Sequence, residues 1–456
     1  MASRIILSLV IAVCLLLLCV LQLPHTVAAA AAAESPSYLY TVAAHYEPLA
    51  WTHGEDRFGS NARIVVHDVS GNHPLVPNFA ASADVSLSFD IQRVLFAGKR
   101  KTEDRWQIWE VSLSGGEPRR ITSGLEDCVR PFYLPDDRIV YARRTAGRFV
   151  IETVDLAGGK PLVLTYSSWN FFPTDVLHDG RILFEAANPL AGEEGPEIYT
   201  VYSDGSGVES YRCDHGTARH SGKQITSGDV VFVSDRGLGS FTSARAQEVH
   251  VQAPVGEYAG DVAETPGGDW LMPWRAEAKA SFQLMLWTPG SNALGLAVAE
   301  HNADIVQPIL IAKRVLPNRH PSGLHDWPNA NLLCLNAYTS KYQFAAGSIR
   351  SVRLYTRDDA GKSKLLGTAP VEGDGSFFVQ VPSEQPLQIE LLDDAGKTLK
   401  REIGFFWMRR GEQRGCVGCH AGPETSPENA VPMILLKSTT PADMTGTATH
   451  IASGGN

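Results

Sequence analysis

The sequence predicts an all-β protein: a β-propeller of six or seven blades, a small β-sandwich, and a short C-terminal segment built around a cysteine–histidine motif. Three observations predict it. Short apolar strands recur every 40 to 48 residues between Val94 and Trp270. Period-2 alternation follows over 351–392. One Cys-x-x-Cys-His run, Cys416-Val417-Gly418-Cys419-His420, stands near the C-terminal end.

The 456-residue chain opens with Arg4 and an apolar stretch over 5–23, then small residues over 28–33 before the first acid, Glu34. That is the layout of an export signal. The stretch is also long enough to cross a bilayer, so an uncleaved N-terminal anchor is the second reading. A lipid-attachment box at Cys19 is disfavoured, because bulky Leu18 stands where a small residue is required. Both readings predict a periplasmic or secreted body, with membrane contact only through an anchor.

In the repeats, Arg93-Val94-Leu95-Phe96, Arg138-Ile139-Val140-Tyr141 and Arg181-Ile182-Leu183-Phe184 occupy equivalent places. Each is followed by a second strand (Ile108 to Val111, Val150 to Val154, Glu197 to Val201) and a Gly-rich turn. Weaker copies begin at Val230 and Trp270 and near Leu332-Leu333-Cys334. A unit of this size with about four strands cannot bury its apolar face alone, so neighbouring units stack around an axis. A further blade is expected to be completed by the N-terminal strand Ala62-Arg63-Ile64-Val65-Val66. Leu134-Pro135-Asp136-Asp137-Arg138 and Leu177-His178-Asp179-Gly180-Arg181 resemble the aspartate-turn blade start of the TolB-like (PD40, WD40-like) propellers.

Ser351-Val352-Arg353-Leu354-Tyr355, Phe377-Phe378-Val379-Gln380-Val381 and Leu387-Gln388-Ile389-Glu390-Leu391 alternate like half-buried strands, with turns at Gly373-Asp374-Gly375 and Asp393-Asp394-Ala395-Gly396. The expected boundaries are a leader over 1–33, a propeller over 34–342, a sandwich over 343–403, a haem segment over 404–436 and a flexible tail over 437–456.

The motif at 416–420 is the attachment signature of c-type haem. Two thiols three positions apart reach the two vinyl groups along one porphyrin edge, and the following imidazole faces the iron. Cys416 and Cys419 are therefore the expected covalent haem-binding residues and His420 the proximal iron ligand. A zinc site would require a further ligand set, and no second C-x-x-C exists. A thioredoxin-like pair would require a βαβ setting, which the neighbouring residues do not supply.

The run from Leu366 through Cys416-Val417-Gly418-Cys419-His420 to Pro432 resembles the C-terminal part of proteins related to the hydrazine synthase alpha subunit. The resemblance implies a TolB-like propeller, a β insertion and a C-x-x-C-H segment in that order, in an extracytoplasmic haem protein. It also implies a tyrosine just past the motif that binds the iron, with the motif histidine diverted to zinc. Ala421-Gly422-Pro423-Glu424 follow His420 and no tyrosine occurs beyond them, so ordinary His420 ligation is expected. The additional haem domain of that enzyme has no counterpart in the residues that follow, and one haem is expected.

Met433 is the candidate distal ligand, with Met408, Met444 and His450 as alternatives. Met408 beside Phe405, Phe406 and Trp407 is expected in a core, whereas Met444 and His450 lie in a polar tail. Cys213-Asp214-His215 with His220 forms a cluster of metal-capable groups, and Arg319-His320 with His325-Asp326 a second polar cluster. Arg409, Arg410 and Arg414 are near enough in sequence to pair with haem propionates. Of seven cysteines, Cys14 and Cys19 fall in the leader and two in the motif. That leaves Cys128, Cys213 and Cys334, an odd number joined by at most one disulfide.

A net charge of −10 without a basic run argues against nucleic-acid binding. No G-x-S-x-G, P-loop, dinucleotide fingerprint or H-E-x-x-H occurs. The expected role is electron transfer or small-molecule redox chemistry at one haem c, with a redox partner protein or a small substrate. The alternatives are a scaffold propeller with a structural haem and a hydrazine-synthase-like enzyme.

Overall fold

The computed structural model describes residues 36–59, 61–188, 195–212, 215–243, 246–358, 361–418 and 429–446. Residues 1–35, where the leader is expected, and Cys213, Asp214, Cys419, His420 and His450 lie outside them. Six blades form a propeller among the described residues. Blade 2 runs Ala81–Leu87, Arg93–Lys99, Gln107–Ser112, Arg119–Arg120 from axis to rim, and blade 3 runs Cys128–Tyr133, Arg138–Thr145, Arg148–Asp155, Leu162–Val163. Blade 4 is Asn170–Val176, Ile182–Ala187, Glu197–Val201, Glu209–Ser210, and blade 5 is Arg219–Gln224, Val230–Ser234, Gly237–Phe241, Val249–His250. Blade 6 has its inner strand split into Glu257–Tyr258 and Ala263–Glu264, followed by Trp270–Arg275, Gln283–Trp287 and Leu294–Val298.

Blade 1 closes the ring. Its inner strand, Asp304–Leu310, comes from the far end of the propeller sequence and pairs antiparallel with Tyr38–Ala43; Arg63–Asp68 and Gly71–Pro74 complete it. Joining the two ends in one sheet removes the exposed strand edge that an open array would leave. The repeat positions Val94, Ile139, Ile182, Val230 and Trp270 each fall at the start of a blade's second strand and are nearly or fully buried.

The inner strands share an irregularity. Asp84, Arg130, Ser221, Asp261 and Gln307, one each from blades 2, 3, 5, 6 and 1, adopt φ between 55° and 58°. That left-handed conformation is costly for residues with a Cβ. In blades 1, 2, 3 and 5 the strand register shifts at that residue, and in blade 6 the residue lies in the gap of the split strand. A bulge re-aims a side chain, and here it supplies a polar network about the axis. Arg57 pairs with Asp84, which also accepts from Gln307 Nε2 at 2.7 Å and from the Arg130 backbone N–H at 3.1 Å. Arg130 in turn holds Asp261, Nη1 to Oδ2 at 2.9 Å. Buried charges are tolerated only when paired in this way.

Both ends of the axis are covered. Over one end lie residues 44–59, with Trp51 stacked on Phe172 at 5.0 Å, the Thr52 carbonyl accepting from Asn170 Nδ2 at 2.9 Å and the Tyr46 N–H donating to Asp304 at 2.7 Å. Asn170 and Asp304 open their inner strands. Over the other end runs the 311–328 connector. Arg314 donates to the Leu87 carbonyl, the Asn318 N–H to the His178 carbonyl at 2.9 Å, and Arg319 Nε to the Pro135 carbonyl at 2.9 Å.

The sandwich consists of two four-stranded sheets. One orders Gln413–Cys416, Asn329–Cys334, Phe377–Pro382, Ala442–Asp443; the other orders Ser363–Pro370, Ser351–Arg357, Leu387–Leu392, Thr398–Arg401. This pairing corrects three expectations. Leu332-Leu333-Cys334 belongs to the sandwich and not to a blade, so the last propeller strand ends at Leu310 and not near 342. The motif's first cysteine ends a strand of the sandwich, so the sandwich does not stop at 403. Part of the supposed tail, Ala442–Asp443, is also a sandwich strand, because Met444 beside it reaches the apolar core and is 1% exposed.

Candidate functional site

Cys416 ends the strand Gln413–Cys416, which lies parallel to Asn329–Cys334 in the register Leu332 to Arg414 and Cys334 to Cys416. The next backbone bond in the row, Leu335 N–H to the Cys416 carbonyl at 2.8 Å, fixes that end. Cys416 is partly buried against the sandwich core, and its thiol donates to the Gly418 carbonyl at 3.1 Å. Gly418 is pressed against the 336–339 loop: a Cβ there would stand 2.2 Å from the Thr339 carbonyl oxygen. Only glycine lets the chain turn so tightly after the first thiol. Cys419 and His420 lie outside the described residues.

Met433 opens the short helix Met433–Lys437 and is held at the same end of the sheet. Its N–H donates to Asp374 Oδ2 at 2.7 Å, the Ile434 N–H donates to Ser376 Oγ at 3.1 Å, and Lys437 pairs with Glu372. Burial alone would raise the Asp374 carboxyl, but hydrogen bonds from Met433 and Ser376 hold it below the usual range. The 372–376 turn is tied to the 336–339 loop by the Ala337 N–H to Gly375 carbonyl bond at 2.9 Å. Gly418 and Met433 therefore rest on two loops that are bonded to each other.

Four apolar side chains around these loops face solvent: Val417, Val431, Met433 and Leu436, at 50, 63, 40 and 72% exposure. The residues fit a haem. A porphyrin needs a thiol on rigid backbone and apolar side chains to cover its faces, and this end of the sandwich holds the partly buried Cys416 and four exposed apolar side chains. Cys416 and Cys419 would hold the ring and His420 would face the iron.

The other candidates resolve as follows. Met408 is 0% exposed and, like Met444, packs in the sandwich core, so neither faces a cofactor site. His215 is an imidazolium between two carboxylates, Nδ1 to Glu197 Oε2 at 2.6 Å and Nε2 to Glu402 Oε1 at 3.3 Å. Burial opposes its charge, but the two carboxylates prevail and raise its pKa to about 10. The ring nitrogens point in opposite directions, so the carboxylates do not converge on one metal position. His220 lies in the axis beside Ser221 Oγ at 3.0 Å, and burial lowers its pKa to about 4. His320 stacks on Tyr202 at 3.6 Å and His325 on Trp327 at 5.0 Å. Among the described residues no group of three His, Cys, Asp or Glu side chains is placed to hold a metal.

The arginines near the motif clamp the sandwich to the propeller. Arg409 pairs with Glu384 at 2.8 Å and bonds Tyr166, and its backbone N–H donates to Glu412 Oε2 at 2.7 Å. Arg414 binds Glu412 and the carbonyls of Val208 and Trp407. Arg410 is exposed, 3.8 Å from Asp326. Beside them Trp407, 1% exposed, enters the apolar core of blades 3 and 4 among Phe171, Phe184 and Val208. Sequence reasoning missed Trp407 as an anchor and Cys334 as the neighbour of Cys416; a tryptophan nine residues before the motif was the available signal for the first.

The family profile described as hydrazine synthase alpha subunit middle domain matches residues 338–421, the stretch that holds most of the sandwich and the motif. Among solved structures, Kuenenia stuttgartiensis hydrazine synthase superposes with a TM-score of 0.75 at 16% identity, covering 88% of this chain and 71% of that one. At that identity the likeness shows the fold alone. TolB from Acinetobacter baumannii is a weaker likeness, with a TM-score of 0.46 at 14% identity over 62% of this chain and 67% of that one. No curated protein matches by sequence.

Proposed function

We infer that the chain is an exported mono-haem c-type protein, periplasmic or secreted, whose propeller and sandwich form a rigid mount for one covalent haem. Cys416 and Cys419 would carry the thioether links, and His420 and Met433 would supply the protein ligands of the iron. Bound there, the haem supplies a one-electron iron couple. The observation that carries this reading is the coincidence, at one end of the sandwich, of the partly buried Cys416 with the exposed side chains of Val417, Val431, Met433 and Leu436. A thioether sulfur in the iron's sixth position favours electron transfer over ligand binding and raises the potential. The partner is then a second redox protein that reaches the exposed haem edge.

The profile match over 338–421 favours a second reading, a hydrazine-synthase-like enzyme with an open iron position. The two differ in ligation. Full-length protein made in a haem-maturing host is denatured and weighed, and its reduced spectrum is recorded with and without carbon monoxide. Electron transfer predicts a mass gain of one haem and a six-coordinate low-spin spectrum indifferent to carbon monoxide. A high-spin spectrum that shifts with carbon monoxide favours the enzyme, and a chain without added mass overturns both.

A further inference from the structure

We propose that Cys334 is a redox partner of Cys416: before haem is joined, the two thiols close a disulfide that withholds the first attachment cysteine. The pair stand in register on neighbouring parallel strands. Neighbouring strands lie roughly 4.7–4.9 Å apart, inside the span of about 4.4–6.8 Å between the α-carbons of a disulfide. Both side chains also point to the same side. Along Asn329–Cys334 the buried positions are Ala330, Leu332 and Cys334, and both cysteines pack against the same sandwich core. Cys416 closes its strand, and its thiol is held by the Gly418 carbonyl at 3.1 Å, so rotation about χ1 that breaks this one bond is the movement that brings sulfur to sulfur.

The exposures set the order of events. Cys334 is 3% exposed and Cys416 only partly buried, so an external disulfide meets Cys416 first. The Cys416 thiolate attacks it, forms a mixed disulfide and expels one external thiolate. The Cys334 thiolate then attacks the Cys416 sulfur and expels the second. The two protein thiols lose two protons and two electrons, and the external disulfide gains them as two thiols. An oxidising compartment favours the bond. Reduction is then a required step before haem attachment, and the burial of Cys334 makes that reduction selective for small or dedicated thiols. The consequence for haem rests on the function proposed above; the disulfide itself does not.

Full-length protein is exported in a host that lacks haem attachment, equilibrated with oxidised glutathione, alkylated and digested. The expected product is a linked peptide pair containing Cys334 and Cys416. A Cys416–Cys419 link alone, or Cys334 fully alkylated, overturns the proposal. In a haem-maturing host grown without added reductant, Cys334→Ser and Cys334→Ala are compared with wild type, with thermal unfolding as the check on folding. At least one folded variant is expected to carry severalfold more haem per chain, and equal loading in folded variants overturns the regulatory role. A linked pair in wild type with no haem on any variant upholds the disulfide and sinks the haem reading instead.

Discussion

The Trp407 indole N–H donates to the Leu164 carbonyl oxygen at 2.9 Å, joining residues 243 positions apart in the sequence. Leu164 follows the rim strand of blade 3, and Trp407 precedes Cys416 by nine residues. The Trp407 ring also packs edge-on against Phe171 at 5.4 Å and Tyr166 at 6.5 Å. The segment that leads into the motif is thus wedged between two blades. Arg409 and Arg414 flank the wedge with ion pairs and backbone bonds. A site on rigid elements keeps its geometry better than one on a free loop.

Trp407→Ala is expected to lower stability by about 3–5 kcal/mol, the usual range for emptying a core tryptophan site. Trp407→Phe keeps most of the packing and loses the hydrogen bond, so its cost is expected to be the smaller of the two. Denaturant unfolding gives both values. Limited proteolysis should cut Trp407→Ala in the 311–328 connector earlier than wild type. Unchanged unfolding of Trp407→Ala would refute the wedge.

The His215 bridge gives a pH dependence of definite sign. Its pKa is about 10 in the folded protein, against roughly 6.5 for an exposed imidazole. Between these values the folded chain binds the extra proton. The bridge to Glu197 and Glu402 is therefore fully formed below about pH 6.5 and lost as pH rises through about 10. Melting temperatures at pH 7 and pH 10.5 should fall further for wild type than for His215→Gln. Parallel curves would remove the clamp from the account.

Much of the propeller was legible in the sequence because each blade repeats the same local chemistry, such as Asp179-Gly180 turning into Ile182. The bulged axis was not. Nothing in the sequence marks Arg130 for a left-handed backbone, which is set by partners as distant as Asp84 and Asp261. Leu332-Leu333-Cys334 read as a blade copy because a sandwich strand alternates as a blade strand does. Its pairing with Gln413–Cys416, some 80 residues on, is non-local. His215 stood in the sequence only as one of several metal-capable groups beside Cys213, and its carboxylate partners, from a blade strand and from the approach to the motif, are too distant in sequence to be read there. Met444 read as tail because its own neighbours are polar, and only the folded sheet shows the core that receives it.

Glu185 supplies a second titration, of opposite cause. Burial pushes its pKa up to about 8, despite the bond it accepts from the Ser221 N–H and the nearby Arg130 charge. The unfolded chain loses this proton near pH 4.5 while the folded chain keeps it to about 8, so stability falls with pH across that window and levels above it. Glu185→Gln keeps an oxygen for the Ser221 N–H and cannot ionise. Its unfolding free energy should be less dependent on pH between 5 and 8, and higher than wild type at pH 8. A variant as pH-dependent as wild type would show that Glu185 is already ionised.

Met433 is the sharpest test of the proposed ligation, because its backbone and side chain do separable work. The backbone N–H is held by Asp374 and the next one by Ser376, so Met433→Ala should leave the helix docked. The side chain is 40% exposed and has little packing to lose, so the cost to stability should be under about 1 kcal/mol. If the sulfur binds iron, the substitution opens the sixth position. The reduced spectrum should then change from indifferent to responsive toward carbon monoxide, and the midpoint potential should fall as the thioether is lost. Asp374→Ala makes the complementary change: it keeps the sulfur but loosens the helix, giving a mixture of the two spectra whose open fraction grows with temperature. A Met433→Ala protein with the wild-type spectrum and potential would remove Met433 from the iron, and with it the reason to prefer electron transfer.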